Sequence, residues 1–282
     1  MLEAVSAELL KLRRHKATWF LVWIYPILFA VGILILLATA ASGAVPHHPQ
    51  SLAEWLSATA IAWHIPASSF GRYLIAAFVA VVFAGEYGWN TWKLIIPHRS
   101  RMALIGAKYC AVAILLVIAF ILSALITTLG NWASGIITGD SAPAGITVIG
   151  LLRVHGTAAF VALAPFLVTI GYASLAAVLT RSTIAALVIA LVAVTIEQLV
   201  FDLGPLASAE FPKLVAVLYH VLPGYHLGNL ASWIQTGAAL RTEFPGGSAV
   251  ALPWSVSLAV IAVWVVALIG GTFAVFSRQD IN

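Results

Sequence analysis

The sequence predicts an all-α polytopic membrane protein with six transmembrane helices, and three observations carry that expectation. Hydrophobic residues make up 62% of the 282 and charged residues only 9%, where a soluble domain carries about 25% charged. A soluble fold built from this chain would lack a polar coat. Six windows of about 20 residues, enough to cross roughly 30 Å of hydrocarbon, hold either no charge or a single one. Lys and Arg, finally, gather in some linkers and avoid others, as membrane topology requires.

Residues 1–16, MLEAVSAELLKLRRHK, place Leu2, Val5, Leu9 and Leu12 at helical spacing, with Glu8, Lys11 and Arg14 elsewhere around the wheel. The pattern fits an amphipathic helix on the inner membrane face, its cations against anionic headgroups, or else the frayed start of the first span. That span, residues 17–41, has no charge. Its basic start and the run ATAASGA from Ala38 also resemble a signal peptide. Its 25 apolar-dominated residues exceed the roughly 7–15 of a signal core, however, and cleavage would leave five spans.

The second span, 65–85, is interrupted only by Arg72. The third covers 111–129, and the fourth, 154–180, lies between Arg153 and Arg181. The fifth, 182–201, is interrupted by Glu197, and the sixth covers 251–276. The whole chain, 1–282, reads as a single transmembrane domain. Within the segment 202–250, two apolar pieces, Leu214–Leu222 and Leu227–Ile234, flank Pro223-Gly224. Each is too short to cross, which suits short re-entrant or interfacial helices, or an ordinary lipid-facing loop.

Six spans put both termini on one side. With the N-terminus cytoplasmic, ten of the fourteen cations lie inside: Lys11, Arg13, Arg14, Lys16, Lys93, Arg99, Arg101, Lys108, Arg181 and Arg278. Arg72, Arg153, Lys213 and Arg241 fall in the outer half, and the linkers 42–64 and 130–152, which carry no Lys or Arg, then face outward. The expected location is the cytoplasmic (inner) membrane with both termini cytoplasmic. The formal charge of +4 is then a topology signal, and no nucleic-acid binding is read into it.

The inner linker after the second span is unusual. In GEYGWNTWKLIIPHRSRMA, Trp89, Trp92 and Ile96 share one helical face, and Pro97 stops the helix. Glu86 would sit at its positive N-terminal end. Cations and aromatics suit any inner loop, but a helix-shaped element with its own start and stop also suits docking to a soluble partner. The run Glu86-Tyr87-Gly88-Trp89-Asn90-Thr91, with Lys93 and a basic re-entry, resembles the acid-aromatic loop of ABC transporter permeases of the type-2 exporter family. Asn90-Thr91 stands where many members have Gly-Thr.

The resemblance covers the chain from the N-terminal amphipathic helix, an "elbow" in that family, to the paired outer helices before the last span. It implies that residues 86–98 form a coupling helix received by an ATPase cleft, with Glu86, Tyr87, Trp89, Thr91, Trp92 and Lys93 in the ATPase-coupling role. Implied partners are two copies of an ABC ATPase, a second permease copy or a paralogue, and the lipid bilayer. ATP and Mg would bind on the ATPase, with no cofactor in this chain. The implied activity is export of a hydrophobic or amphipathic substrate, a drug or antimicrobial peptide foremost, since few charges line the spans.

Motifs sought and missing narrow the chemistry. No G-x-x-x-x-G-K-[ST], H-E-x-x-H or G-x-S-x-G occurs, so no nucleotide site or catalytic residue is expected here. The pair His47-His48 is too few for a protein metal site, and no metal is expected. Cys110, alone, reads as a small apolar filler. The intramembrane charges matter more, because charge in hydrocarbon is costly. Arg72 lies fourteen residues before Glu86, about 21 Å from the inner boundary at about 1.5 Å per residue. Glu197 lies sixteen residues after Arg181, about 24 Å by the same rise. Equal depth predicts an Arg72–Glu197 interaction, direct or through Gln198 or Arg153; separate snorkelling to the outer interface is the other reading. The alternative function is an ion-coupled secondary transporter with Glu197 and His155 as proton carriers. An intramembrane enzyme or sensor finds no supporting spacing.

Overall fold

The computed structural model describes residues 1–43, 50–88, 92, 100–139, 142–245 and 249–280. Its helices are α1 (Leu2–Arg13), α2 (Lys16–Leu21), α3 (Ile24–Ser42), α4 (Leu52–Thr59), α5 (Ser69–Gly88), α6 (Arg101–Thr138), α7 (Val148–Thr180), α8 (Thr183–Ala207), α9 (Pro212–Val221), α10 (Pro223–Thr236) and α11 (Trp254–Arg278). A 3₁₀ turn, Ile61–Ala67, precedes α5, and a two-residue ladder pairs β1 (Thr242–Glu243) with β2 (Ala249–Val250). Among the described residues, six stretches are long and apolar enough to cross a membrane: Lys16–Ser42, α5, α6, α7, α8 and α11. The protein is all-α and polytopic.

Helix ends depart from the charge-free windows for physical reasons. The first span is broken between α2 and α3, where Pro26 lacks the N–H that would bond the Val22 carbonyl. α5 begins at Ser69 because the 3₁₀ turn holding Pro66 precedes it, and it continues through Glu86 and Tyr87 to Gly88. α6 is 38 residues long, far more than the window 111–129, since charge marks the edge of hydrocarbon and not the edge of a helix. α7 likewise starts at Val148 and carries Arg153 in its second turn. The linker 42–64 contains α4, whose N-terminus is a capping box between Ser51 and Glu54. His47 and His48 lie outside the described residues.

The described chain divides into two compact units, Met1 with Pro66–Lys108 and Leu163–Asn282, and Leu2–Ile65 with Tyr109–Ala162. In the first, α8 buries Ala186, Ala190, Val194 and Glu197, a stripe at helical spacing whose small members let α5 come close. α5 buries Arg72, Ile75, Ala76, Phe78, Val79, Val82 and Phe83. α11 crosses α7 where Gly171 faces Leu268; a Cβ there would lie 2.7 Å from the leucine Cβ. Ser174 and Thr272 meet nearby with hydroxyls 3.3 Å apart.

The segment before α11 folds back on α8. Val215, Tyr219, Tyr225, Phe244 and Val250 form its core, and Tyr219 donates to the Phe201 carbonyl at 2.6 Å. Burial pushes the Tyr219 hydroxyl up to about 12. Asn229 donates to the Leu252 carbonyl and to Ser257 Oγ, and its Oδ1 accepts from the Leu240 N–H. His226, fully buried, sits 2.9 Å from Ser257 Oγ and 3.2 Å from the His220 carbonyl. All three side chains are fully buried, and the His–Ser–Asn set ties α10 to the backbone on either side of the strand pair.

In the second unit, Tyr25 of α3 packs edge-on against Phe120 of α6 with centroids 5.2 Å apart. Gly130 faces Ile33. Trp63 donates to His155 Nδ1 at 3.2 Å, and Thr127 donates to the Thr59 carbonyl at 2.7 Å. In α1, Leu12 is buried and Val5 and Leu9 are half-buried, whereas Leu2 is exposed.

Candidate functional site

Two constellations in the first unit gather chemistry. The deeper one is built on Arg72 of α5 and Glu197 of α8, each 2% exposed. Arg72 Nη1 lies 2.6 Å from Glu197 Oε1 and Nη2 lies 3.1 Å from Oε2, a two-pronged pair. Arg72 Nε donates to Thr169 Oγ1 at 2.8 Å, and that hydroxyl donates in turn to the Pro165 carbonyl at 2.8 Å. Tyr172 adds a third donor to the carboxylate, at 3.1 Å on Oε2. The network joins α5, α7 and α8. Beside it, Tyr73 and Thr195 meet hydroxyl to hydroxyl at 2.7 Å. Gly224 of α10 lies so close that a Cβ would sit 2.8 Å from the Glu197 carbonyl.

The second constellation closes the ends of α5, α6 and α11. Glu86 lies in the last turn of α5, where the helix dipole disfavours a carboxylate. Lys108 of α6 offsets this: its Nζ lies 3.2 Å from Glu86 Oε1 and donates to the Val82 carbonyl at 2.8 Å. Both side chains are buried. The same ammonium lies 5.3 Å from the centre of the Trp92 ring. Trp92, 2% exposed, packs on Phe276 of α11 at 4.6 Å and on Tyr87 at 5.8 Å. Tyr87 donates to Gln279 Oε1 at 2.7 Å, and Gln279 Nε2 donates to the Val178 carbonyl at 2.6 Å. Arg101 bonds the carbonyls of Phe276, Ser277 and Gln279, capping α11 with a cation where its dipole is negative.

The residues singled out in the sequence therefore fall as follows. Arg72 and Glu197 meet directly; Gln198 is half-buried one position on, and Arg153 is exposed. Glu86 does not start a separate helix but ends α5, because the helix continues past the charge-free window and Lys108 neutralises the acid. Tyr87 and Trp92 turn inward. Trp89, Thr91 and Lys93 lie outside the described residues. Residues not foreseen are Thr169, Tyr172, Lys108 as a buried partner, Arg101 as a helix cap, and Gln279. Two signals were present: Pro165 and Thr169 stand four apart, and Lys108 lies one residue before an apolar run where a solvated cation would be out of place.

Six apolar spans, with polar groups paired between them, define a multi-pass membrane protein. A family model described as ABC-2 family transporter protein matches residues 4–197. The match takes in well over half of the chain, and the chain belongs to the ABC-2 family of transporter proteins, as a transport subunit. Permeases of this family generally partner with an ABC ATPase. No curated protein matches the chain. The match ends at Glu197, so α9, α10, the strand pair and α11 lie beyond it.

Proposed function

We propose that the chain is the transmembrane subunit of an ATP-driven exporter in the cytoplasmic membrane, moving a hydrophobic or amphipathic substrate, a drug or antimicrobial peptide foremost. Both termini and the linker after α5 face the cytoplasm. Two copies of a separate ATPase, carrying ATP and Mg, close beneath this subunit and a second permease copy or paralogue. The observation that carries the reading is Trp92, a linker residue buried against Phe276, Tyr87 and Lys108. A push on a linker anchored in this way moves the ends of α5, α6 and α11 together, where a floppy loop would absorb it. Trp92 is thus the inward anchor of the coupling element, while Trp89, Thr91 and Lys93 are proposed to face the ATPase cleft.

Proton-coupled transport through Glu197 finds less support. A carboxylate accepting from both Arg72 prongs and from Tyr172 is engaged as an ion-pair partner. The α1 helix is proposed to lie at the inner interface, and α9 and α10 to be re-entrant from the outer side. To test the export reading, the tagged chain is pulled from native membranes and reconstituted in liposomes. A bound ABC ATPase and strictly ATP- and Mg-dependent cargo movement are expected. Cargo movement by the chain without any ATPase, or labelling of Lys93 from outside intact cells, would overturn it.

A further inference from the structure

α9 and α11 leave an open groove of about 490 Å³ between them, lined by His220 and Val221 of α9 and by Ala259, Val263, Trp264 and Ala267 of α11. Its volume lies within the roughly 300–1,000 Å³ of small-ligand pockets. Its walls offer almost nothing polar. The Trp264 indole N–H is already given to the Val221 carbonyl at 2.7 Å, and His220 Nδ1 lies 2.6 Å from the Ala216 carbonyl. Water held there would lack the two to four partners it needs.

Depth decides what fills it. Ala259 and Ala267 follow the start of α11 at Trp254 by five and thirteen residues, about 8 and 20 Å at about 1.5 Å per residue. That range lies inside a hydrocarbon layer of about 30 Å. The flanks agree: Leu214, Val217 and Val221 form an exposed apolar stripe on α9, as do Val256, Val263 and Val266 on α11. A surface apolar on both sides of a groove faces acyl chains, and the groove is continuous with it.

We propose that this groove is a binding site for one acyl chain of a bilayer phospholipid. The chain lies along α11 with its methylenes against Ala259, Val263 and Ala267, and Trp264 forms the inner wall. The site reaches further than its own walls. Trp264 packs edge-on against Tyr172 at 6.0 Å, and Tyr172 is the third donor to Glu197. An occupied groove therefore holds Trp264 against the tyrosine that completes the Arg72–Glu197 pair.

The test uses the full chain in nanodiscs doped with a phosphatidylcholine carrying a diazirine on one acyl chain, with crosslinks mapped by mass spectrometry. Labelling is expected to concentrate on residues 259–267. Ala259→Phe and Ala267→Phe, both exposed positions that fill the groove, should each lower it by about tenfold, the loss expected when a ring displaces several methylenes. Ala262→Phe, exposed on the same helix outside the groove, should leave it unchanged. Equal labelling in all variants, absence of label from 259–267, or a crosslink joining two copies of the chain through this face would each overturn the proposal. No ATPase enters the assay, so its outcome is separate from that of the export reading.

Discussion

Removing the charge of Glu197 isolates what the intramembrane pair contributes. The carboxylate accepts three hydrogen bonds, two from Arg72 and one from Tyr172. A glutamine offers one acceptor oxygen and turns an N–H toward the remaining donors. Arg72, 2% exposed, would keep only Thr169 as a full partner, leaving a buried charge uncompensated. Losing one member of such a pair costs about 3–5 kcal/mol. Glu197→Gln and Arg72→Gln should therefore each lower thermal stability in detergent or nanodiscs by many degrees. Replacing both, as in Arg72→Met with Glu197→Met, should recover most of the loss, because the desolvation cost of both charges disappears with their attraction. The assay is a melting curve followed by monodispersity or intrinsic fluorescence. A single-variant effect below about 1 kcal/mol, or a double variant no better than the singles, would refute the reasoning, since the pair would then be solvated.

Four other outcomes follow from the same geometry. Tyr172→Phe removes one donor from the carboxylate and should cost about 1–2 kcal/mol, read from the same melting curves. Trp92→Ala should destabilise by about 3–5 kcal/mol through the cavity it opens beside Phe276 and reduce ATPase capture in pull-downs, whereas Trp92→Phe should keep most of both. Gly224→Ala places a Cβ 2.8 Å from the Glu197 carbonyl and should cost about 1–3 kcal/mol by overpacking. The last concerns pH: burial holds His226 below its ordinary value, so the unfolded segment takes up a proton that the folded one refuses. Stability of α10 should be level above about pH 6.5 and fall as pH drops through the lower folded value, seen as faster amide exchange over Pro223–Thr236. His226→Gln should flatten that dependence.

The spans were legible because membranes make absence of charge informative, and a lone Arg72 or Glu197 stands out against such a background. Their meeting was legible too, from counting residues inward from Glu86 and from Arg181. What the linear pattern misjudged was the reach of helices beyond hydrocarbon. α5 runs three residues past its window, and that turns Glu86 from the opening of a new helix into the close of an old one. Lys108 and Gln279 escaped notice because their partners are 22 and 192 residues away for Glu86 and Tyr87, and no local periodicity carries such contacts. The aromatic run was visible as a docking element, but only packing against Phe276 tells that Trp92 turns inward. The groove beside Trp264 needed two helices and a turn at Pro223-Gly224, and nothing in either strip alone foretells it.

The way Arg101 and Tyr87 grip the backbone and side chain at Gln279 has a practical side. Anything fused after Asp280 emerges within a residue or two of the knot that ties α5, α6 and α11 together. A bulky reporter joined there without a spacer would crowd the very surface that the linker after α5 is proposed to present, and silence in such a fusion would speak of the tag and not of the transporter. Fluorescent or affinity handles on this protein are better carried on a long flexible spacer, with an untagged control for every activity measured.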